Sequence, residues 1–303
     1  MIWLLYHSAD LDGHCSGAIL RWYHESQGLK KDVDFKMAGL DYGKPWDETQ
    51  IQDGDTVLMS DISLQPYERM AVLNKRVDLF VFDHHATVVP TLEAENIKGA
   101  WGDDTIAGCE LTWVYLINAG KVPKFVKLLS TWDCWQDQDK EYWDKEVKPF
   151  QMGVRMYETD PIMDKGWEFW QPFLLDSVFK ISNETIITDK MNEGNTIIKY
   201  QTEMNKDLMQ RSFDMTFEGL RLIVVNGYKG SPQFDSRWDA TKYDAMMSFY
   251  NRGNSNWTIS LYTTKNDLDL SKVAEKWGGG GHPKACGFHV DDIRKVIGDT
   301  LVV

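Results

Sequence analysis

Ile2-Trp3-Leu4-Leu5-Tyr6-His7-Ser8-Ala9-Asp10-Leu11-Asp12-Gly13 opens the chain with an apolar run that turns abruptly into a histidine and two carboxylates. A half-exposed strand alternates apolar and polar residues, so an unbroken run over residues 2–6 predicts a strand buried on both faces. The same phrase recurs twice. Thr56-Val57-Leu58-Met59-Ser60 runs into Asp61, and Val77 to Phe82 runs into Asp83-His84-His85. Residues 14–25, with Cys15, Ile19 and Trp22 at helical spacing, predict a helix, as do residues 66–74 and 107–118. Apolar strands alternating with helices imply a parallel sheet covered on both faces. The C-terminal ends of such strands share one edge, where ligands bind.

The 303 residues suggest two domains. Hydrophobic residues are 43% and charged residues 26%, which excludes disorder and coiled coil as the main state. Lys plus Arg is 33 against 46 Asp plus Glu, a net charge of −13. A chain this acidic lacks the broad basic face that neutralises a long duplex, while a small phosphate ligand or one held through cations remains open. Cys15, Cys109, Cys134 and Cys286 form no Cys-x-x-Cys pair, which argues against a zinc ribbon and a disulfide framework and predicts buried thiols in a reducing compartment. The run at residues 2–6 is too short for a signal peptide or a membrane span, so a soluble, cytoplasmic protein with no membrane partner is expected.

Residues 136–183 show no clean period, and Ile187, Met191, Ile198, Met204 and Leu208 then follow a helical repeat over 184–211. The pattern restarts with a strand at Leu220–Val225, a helix at Tyr243–Asn251, a strand at Trp257–Thr263, a short helix at Ser271–Trp277 and a last strand at Cys286–Val290. The expected organisation is a catalytic domain over 1–183, a connecting helix over 184–215 and a smaller domain over 216–303.

His7, Asp10 and Asp12 follow the first strand, Asp61 the second, and Asp83, His84 and His85 the third. Clustered carboxylates repel unless cations neutralise them, and carboxylate with imidazole suits Mn²⁺ or Mg²⁺. The set contains no thiolate, which argues against structural zinc. Asp133 ends a helix, where the macrodipole disfavours an acid and a cation would offset it. Gly278-Gly279-Gly280-Gly281-His282-Pro283 offers close backbone approach and N–H donors for an anion. Trp277 reads as a core or hinge residue, Trp132 and Trp135 as walls beside Asp133, and His24 and His289 as structural.

Taken together, His7-Ser-Ala-Asp10-Leu-Asp12-Gly13, Ser60-Asp61, Asp83-His84-His85, Asp133 and Gly278-Gly-Gly-Gly-His282-Pro-Lys-Ala-Cys-Gly287 resemble the DHH phosphoesterase family, in its DHHA1 subfamily. The motifs run from residue 7 to 287, and residues 136–215 match nothing in the pattern. The resemblance implies an α/β fold with a parallel-sheet DHH domain, a smaller α/β DHHA1 domain and an active site in the cleft between them. It implies two Mn²⁺ ions, with Mg²⁺ as the alternative. His7, Asp10 and Asp61 would hold one; Asp12, Asp61, His84 and Asp133 would hold the other, with Asp61 bridging. His85, beside Asp83, would contact the scissile phosphate. Gly279, Gly280, Gly281 and His282 would grip the far end of the substrate.

The chain departs from that pattern twice. The gap between His7 and Asp10 varies in the family, with His14 as a substitute for His7. Ser260-Leu261-Tyr262-Thr263 lacks the arginine of a Ser-x-Arg-Ser strand, leaving Arg252 or Lys284 as the anchor. The implied activity is two-metal activation of water to hydrolyse short oligonucleotides or dinucleotides. Cyclic-dinucleotide hydrolysis and pAp dephosphorylation are the alternatives, and a non-catalytic nucleotide-binding module is the competing class. A processive exonuclease of the RecJ type, with its additional domains, is disfavoured. The expected partner is a short nucleotide and not a long duplex, and a homodimer is left open.

Overall fold

The run at residues 2–6 forms β1 (Ile2–His7), whose side chains alternate between two cores. Trp3 and Leu5 pack with Val57, Met59, Leu79 and Val81; Leu4 and Tyr6 pack with Leu58 and Phe82 on the other face. Burial on both faces is why the apolar character is continuous. With β2 (Phe35–Leu40), β3 (Thr56–Ser60), β4 (Asp78–Asp83) and β5 (Lys98–Trp101), β1 makes a parallel sheet ordered β2-β1-β3-β4-β5. The computed structural model describes residues 1–102, 105–117, 121–179 and 184–298. Residue 118, at the end of the expected 107–118 helix, and residues 180–183 and 299–303 of the expected domains lie outside them.

Helices cover both faces of the sheet. α1 (Leu11–Ser26) starts at Asp10, whose carboxylate accepts from Gly13 N at 2.9 Å, and α1 supplies Leu20 to one face. α2 (Glu68–Asn74) and α3 (Val89–Ala94) supply Met70, Leu73 and Leu92 to the other. α4 (Gly108–Ile117) adds Leu111 beside Leu20. Outside this layer, α5 (Lys124–Asp133), the single turn α6 (Lys140–Tyr142), α7 (Lys148–Val154) and α8 (Asp164–Phe179) build a second core on α1. Ile19, Phe125, Phe150, Trp170 and Phe173 meet there, so the segment without a clean period is a stack of short helices bound by aromatic side chains.

The chain divides into two compact units, Met1–Ile198 and Lys199–Val303. α9 (Glu184–Met209) begins in the first, where Ile187 is fully buried, and ends in the second, where Met209 is. The second unit is a mixed sheet of β6 (Phe213–Phe217), β7 (Leu220–Asn226), β8 (Ala245–Asn251), β9 (Trp257–Tyr262), β10 (Gly280–His282) and β11 (Ala285–Val290). The order is β10-β11-β9-β8-β7-β6, with only β7 and β8 parallel. α10 (Ser271–Lys276) and α11 (Arg294–Ile297) pack on one face through Val273, Ala274 and Val296.

The expected helix at Tyr243–Asn251 is instead the strand β8. Ala245, Met247 and Phe249 enter one core and Met246 the other, a period of two that a short, doubly buried apolar run conceals. Methionine favours helices when isolated, and here tertiary burial overrides that preference.

α7 and α9 cross at two glycines. A Cβ on Gly153 would overlap the Lys190 carbonyl, and one on Gly194 would overlap the Pro149 carbonyl. An alanine in a helix interior gains about 1 kcal/mol over glycine, but overlap with backbone has no rotamer to relieve it and costs about 1–3 kcal/mol or more. Gly194→Ala is therefore expected to cost a net ~1–2 kcal/mol of stability and so to lower the thermal midpoint. A midpoint equal to or above wild type would show that this helix crossing is looser than described.

Candidate metal centre

The sheet order reverses between β1 and β3: the chain leaves β1 toward β2 and then crosses to β3 on the other side. A crevice opens at such a switch point, outside the carboxyl ends of the strands. His7 is the last residue of β1, Asp61 follows β3, and Asp83 ends β4 with His84 and His85 next. Asp61 is 2% exposed and adopts φ 59°, a left-handed conformation that costs a non-glycine residue about 1–2 kcal/mol. Its N–H still donates to Phe82 O at 2.9 Å. Gly108, at the start of α4, lies so close that a Cβ there would be 2.6 Å from Asp61 Cβ.

Two donor sets meet at Asp61. On one side His7 Nδ1 is 3.3 Å from Asp61 Oδ2 and 3.0 Å from Asp10 Oδ2. On the other, His84 Nε2 is 3.4 Å from Asp61 Oδ1 and 3.3 Å from Asp133 Oδ2. His84 Nε2 is fully buried, and its angles to both carboxylates leave it without a hydrogen bond. Asp12 is buried at the same place. Its oxygens accept the N–H groups of Gly108 and Cys109, each at 2.9 Å, which fixes the carboxylate at the N-terminus of α4. Each oxygen keeps a further lone pair.

The third imidazole is held differently. Asp83 is completely buried and spends its oxygens on Ser63 Oγ at 2.6 Å, His85 Nδ1 at 2.7 Å and His85 N at 3.0 Å. Asp83 therefore positions His85. The His85 side chain is 42% exposed, against 12% for His84.

The electrostatics are those of an over-acidic cluster. Burial drives the Asp12 carboxyl well above its ordinary value, and Asp61 and Asp133 push it further. Burial, then Asp61 and Asp10, raise Asp133 to about 6. Burial opposes charge on His7, but Asp10 and Asp61 hold it up at about 10. Burial opposes charge on His84 as well, and Asp61 with Cys134 hold it at about 11. Protons thus stand where cations would neutralise the same groups. Imidazole, carboxylate and an orphaned buried nitrogen on one point fit divalent metal ions.

The structure brings together His7, Asp10, Asp12, Asp61, His84, His85 and Asp133. His14 is not among them: its nitrogens meet Thr159 Oγ1 at 2.8 Å and Ser8 O at 3.1 Å. In the second unit, half of the glycine run is paired. Gly280–His282 form the exposed edge strand β10 against β11, Lys284 sits in the turn, and Gly279 packs under Phe288. Thr263 N donates to Lys284 O at 3.1 Å, so Lys284 stands beside the strand end bearing Tyr262. Arg252 follows the opposite end of β8, where Asn251 pairs with Trp257. Trp277 is packed against Phe288 at 5.3 Å and bonded to Glu218.

Four residues of the site escaped the sequence reading. Asp41 Oδ1 stands 3.6 Å from His7 Nε2 and pairs with Lys44 at 2.8 Å. Ser63 holds Asp83, and Gly108 makes room for Asp61. Cys134, expected to be a buried thiol, is half-exposed and places Sγ 3.9 Å from His84 Nδ1. Cys134 is the residue after Asp133, and the end of α5 turns it toward His84.

No family model matches the chain. Uncharacterized protein R106 of Acanthamoeba polyphaga mimivirus is 23% identical over 311 residues, covering 96% of this chain and 68% of that protein. The pGpG-specific phosphodiesterase PggH of Vibrio cholerae superposes with a TM-score of 0.54 at 11% identity, over 96% of this chain and 93% of its own. The chain shares its fold. The exonuclease RecJ bound to manganese is similar at a TM-score of 0.45 and 15% identity, over 97% and 86% of the two chains. Among the described residues, no helix is long and apolar enough to cross a membrane.

The shifted groups give stability a pH dependence. His7 and His84 hold protons more tightly folded than unfolded; that stabilisation is complete below about 6.5 and is lost as pH rises through about 10 and 11. Asp12 and Asp133 act in the same sense, with the Asp133 contribution lost between 3.8 and about 6. Asp10 and Asp83 are lowered, so their opposite effect falls below 3.8, outside the working range. The chelator-treated protein is expected to lose thermal stability between pH ~5 and ~9, with Mn²⁺ reducing or reversing the loss as it displaces the protons. Superimposable pH profiles with and without Mn²⁺ would contradict the cluster.

Proposed function

We propose that the chain is a DHH-type phosphoesterase with a DHHA1-like second unit: a Mn²⁺- or Mg²⁺-dependent phosphodiesterase acting on short oligonucleotides or dinucleotides. Nano-RNase activity stands ahead of cyclic-dinucleotide hydrolysis and pAp dephosphorylation. The observation that carries this reading is Asp61, whose Oδ2 faces His7 and whose Oδ1 faces His84. A bridging carboxylate between two nitrogen- and oxygen-rich sets suits a pair of cations. In this reading His7, Asp10 and Asp61 hold one, and Asp61, His84, Asp133 and Asp12 the other. When bound, paired divalent ions supply charge that polarises a phosphoryl oxygen and lowers the pKa of water. The fold shared with PggH, a pGpG-specific enzyme, supports the same substrate class.

The chain's own residues would then bind and orient. Asp83 fixes His85 Nδ1 and raises its pKa, which favours the protonated ring whose Nε2–H would donate to a phosphate oxygen. In the second unit, His282, Lys284, Gly279, Gly280, Gly281 and Arg252 are the residues proposed to bind nucleotide, on the resemblance of the glycine run. The non-catalytic alternative predicts a vacated ligand position, and each position of the pattern is filled.

Asp61→Asn is expected to cut turnover by at least ~10²–10³-fold and drop metal content below two ions per chain. His85→Ala should retain both ions while lowering kcat by a similar factor. Near-normal activity in Asp61→Asn would overturn the bridging role. Metal loss in His85→Ala but not in His84→Ala would exchange the two histidines.

Substrate length supplies a second test. With a net charge of −13, a long strand lays phosphates over acidic surface, and each unneutralised phosphate costs affinity. A dinucleotide brings few phosphates, which the cations would neutralise. kcat/KM should fall steeply from 2-mers to 24-mers, and added salt should flatten that fall by screening the repulsion. Equal or faster cleavage of a 24-mer at low salt would contradict the reading.

A further inference from the structure

Trp135 is a large apolar residue left in water on a backbone that resists it. Its φ of 51° lies in the left-handed region, which disfavours every side chain larger than hydrogen, and the residue is 62% exposed. It directly follows Asp133 and Cys134, which stand 3.3 and 3.9 Å from the two nitrogens of His84. We infer that Trp135 is a nucleobase-stacking platform at the rim of the metal centre, receiving the base of the nucleotide whose phosphate the cations hold.

Strain of this kind persists only where the surroundings over-determine it, and it gathers at sites of function. The surroundings of Trp135 do so. Trp135 N donates to Trp132 O at 3.1 Å, Gln136 N to Thr131 O at 3.0 Å and Asp137 N to Trp135 O at 3.0 Å, so the chain is pinned on both sides of the residue. The ring is braced as well. It meets Trp132 at 5.9 Å and Trp143 at 5.2 Å, at interplanar angles of 62° and 60°. Those two indoles stack on each other at 5.1 Å and 8°. Trp143 is buried with Phe150 and Trp170 in the helical core, and the Arg155 guanidinium lies 5.6 Å from the Trp132 ring. Trp132 and Trp143 therefore close the core by themselves, and Trp135 is a further ring fixed on its outside. A ring already held in place loses little side-chain entropy when a ligand lands on it. Every nucleobase has a π-face, so an indole accepts any of them. An acidic chain gains base affinity from such a contact without adding a basic track.

This inference rests on the phosphoesterase reading for the phosphate at the cations and adds recognition of a base. The test compares AMP with ribose 5-phosphate, which carries the same phosphate and lacks the base, by calorimetric titration of the full-length protein in Mn²⁺. Wild type should bind AMP ~5–140-fold more tightly, the span that stacking of one base supplies. Trp135→Ala should bind the two alike, with ribose 5-phosphate affinity and Mn²⁺ content unchanged, and Trp135→Phe should keep part of the preference. Trp135→Gly, which accepts a positive φ without strain, should behave as the alanine variant does and guards against a folding defect in it. Equal wild-type affinities, no binding of either ligand, or a preference that survives in both Trp135→Ala and Trp135→Gly would overturn the platform; dinucleotide hydrolysis by the same wild-type protein would leave the phosphodiesterase reading intact. A Trp135-dependent preference for AMP in a protein that hydrolyses no dinucleotide would uphold the platform and overturn that reading instead.

Discussion

A buried carboxylate with no Arg or Lys partner among the described residues governs this molecule. Asp61 sits at the end of β3 in a left-handed conformation, with His7 on one side and His84 on the other. Two like charges about 4 Å apart repel by roughly 4 kcal/mol at an effective dielectric of 20. Asp10, Asp12 and Asp133 therefore cannot all remain ionised beside Asp61 unless positive charge is added. The raised proton affinities of Asp12, Asp133, His7 and His84 are one response to that imbalance, and bound cations are the other. The backbone is built around the same residue: the sheet order reverses beside it, and a glycine opens α4 so that its side chain fits.

The central strands were legible because burial on both faces writes itself as an unbroken apolar run. The edge strands were not. β2, Phe35-Lys36-Met37-Ala38-Gly39-Leu40, and β5, Lys98-Gly99-Ala100-Trp101, mix charge and glycine into four- to six-residue segments, since one side of an edge strand has no neighbour to demand apolar character. β8 failed for the opposite reason: seven residues buried on both sides offer no polar residue to reveal the period. Residues 140–179 are largely helical, but the first helices are short and joined by a π-helical segment at Trp143–Val147, which breaks the 3.6-residue repeat before it can be counted.

The inner donors of the site were readable because topology places the ends of parallel strands together, so a residue following an apolar run has a known address. Asp41 follows β2 at that same edge and would have been found had β2 been seen. Ser63, Gly108 and Cys134 carry no such address. They act through contacts with Asp83, Asp61 and His84 that are remote in sequence, and a serine, a glycine and a cysteine each have many ordinary uses. The glycine run illustrates the converse. Its composition announced a special backbone, but not that Gly280–His282 would pair as a strand, because hydrogen bonding to β11 depends on a partner rather than on propensity.

The outer contacts also decide what each imidazole can do. A histidine presents a defined lone pair only when its other nitrogen is held. His7 directs Nδ1 at Asp10 and Asp61 while Nε2 faces Asp41, itself tied to Lys44. His84 directs Nε2 at Asp61 and Asp133 while Nδ1 faces Cys134. His85 reverses the arrangement: its Nδ1 is spent on Asp83, itself tied to Ser63, and the exposed remainder of the ring is left for a ligand. Two adjacent histidines in one Asp-His-His triplet thus acquire different chemistry from their neighbours alone. One points inward beside a sulfur, and the other points outward on a buried carboxylate. The division between holding a cation and meeting a substrate lies in those outer partners and not in the triplet itself.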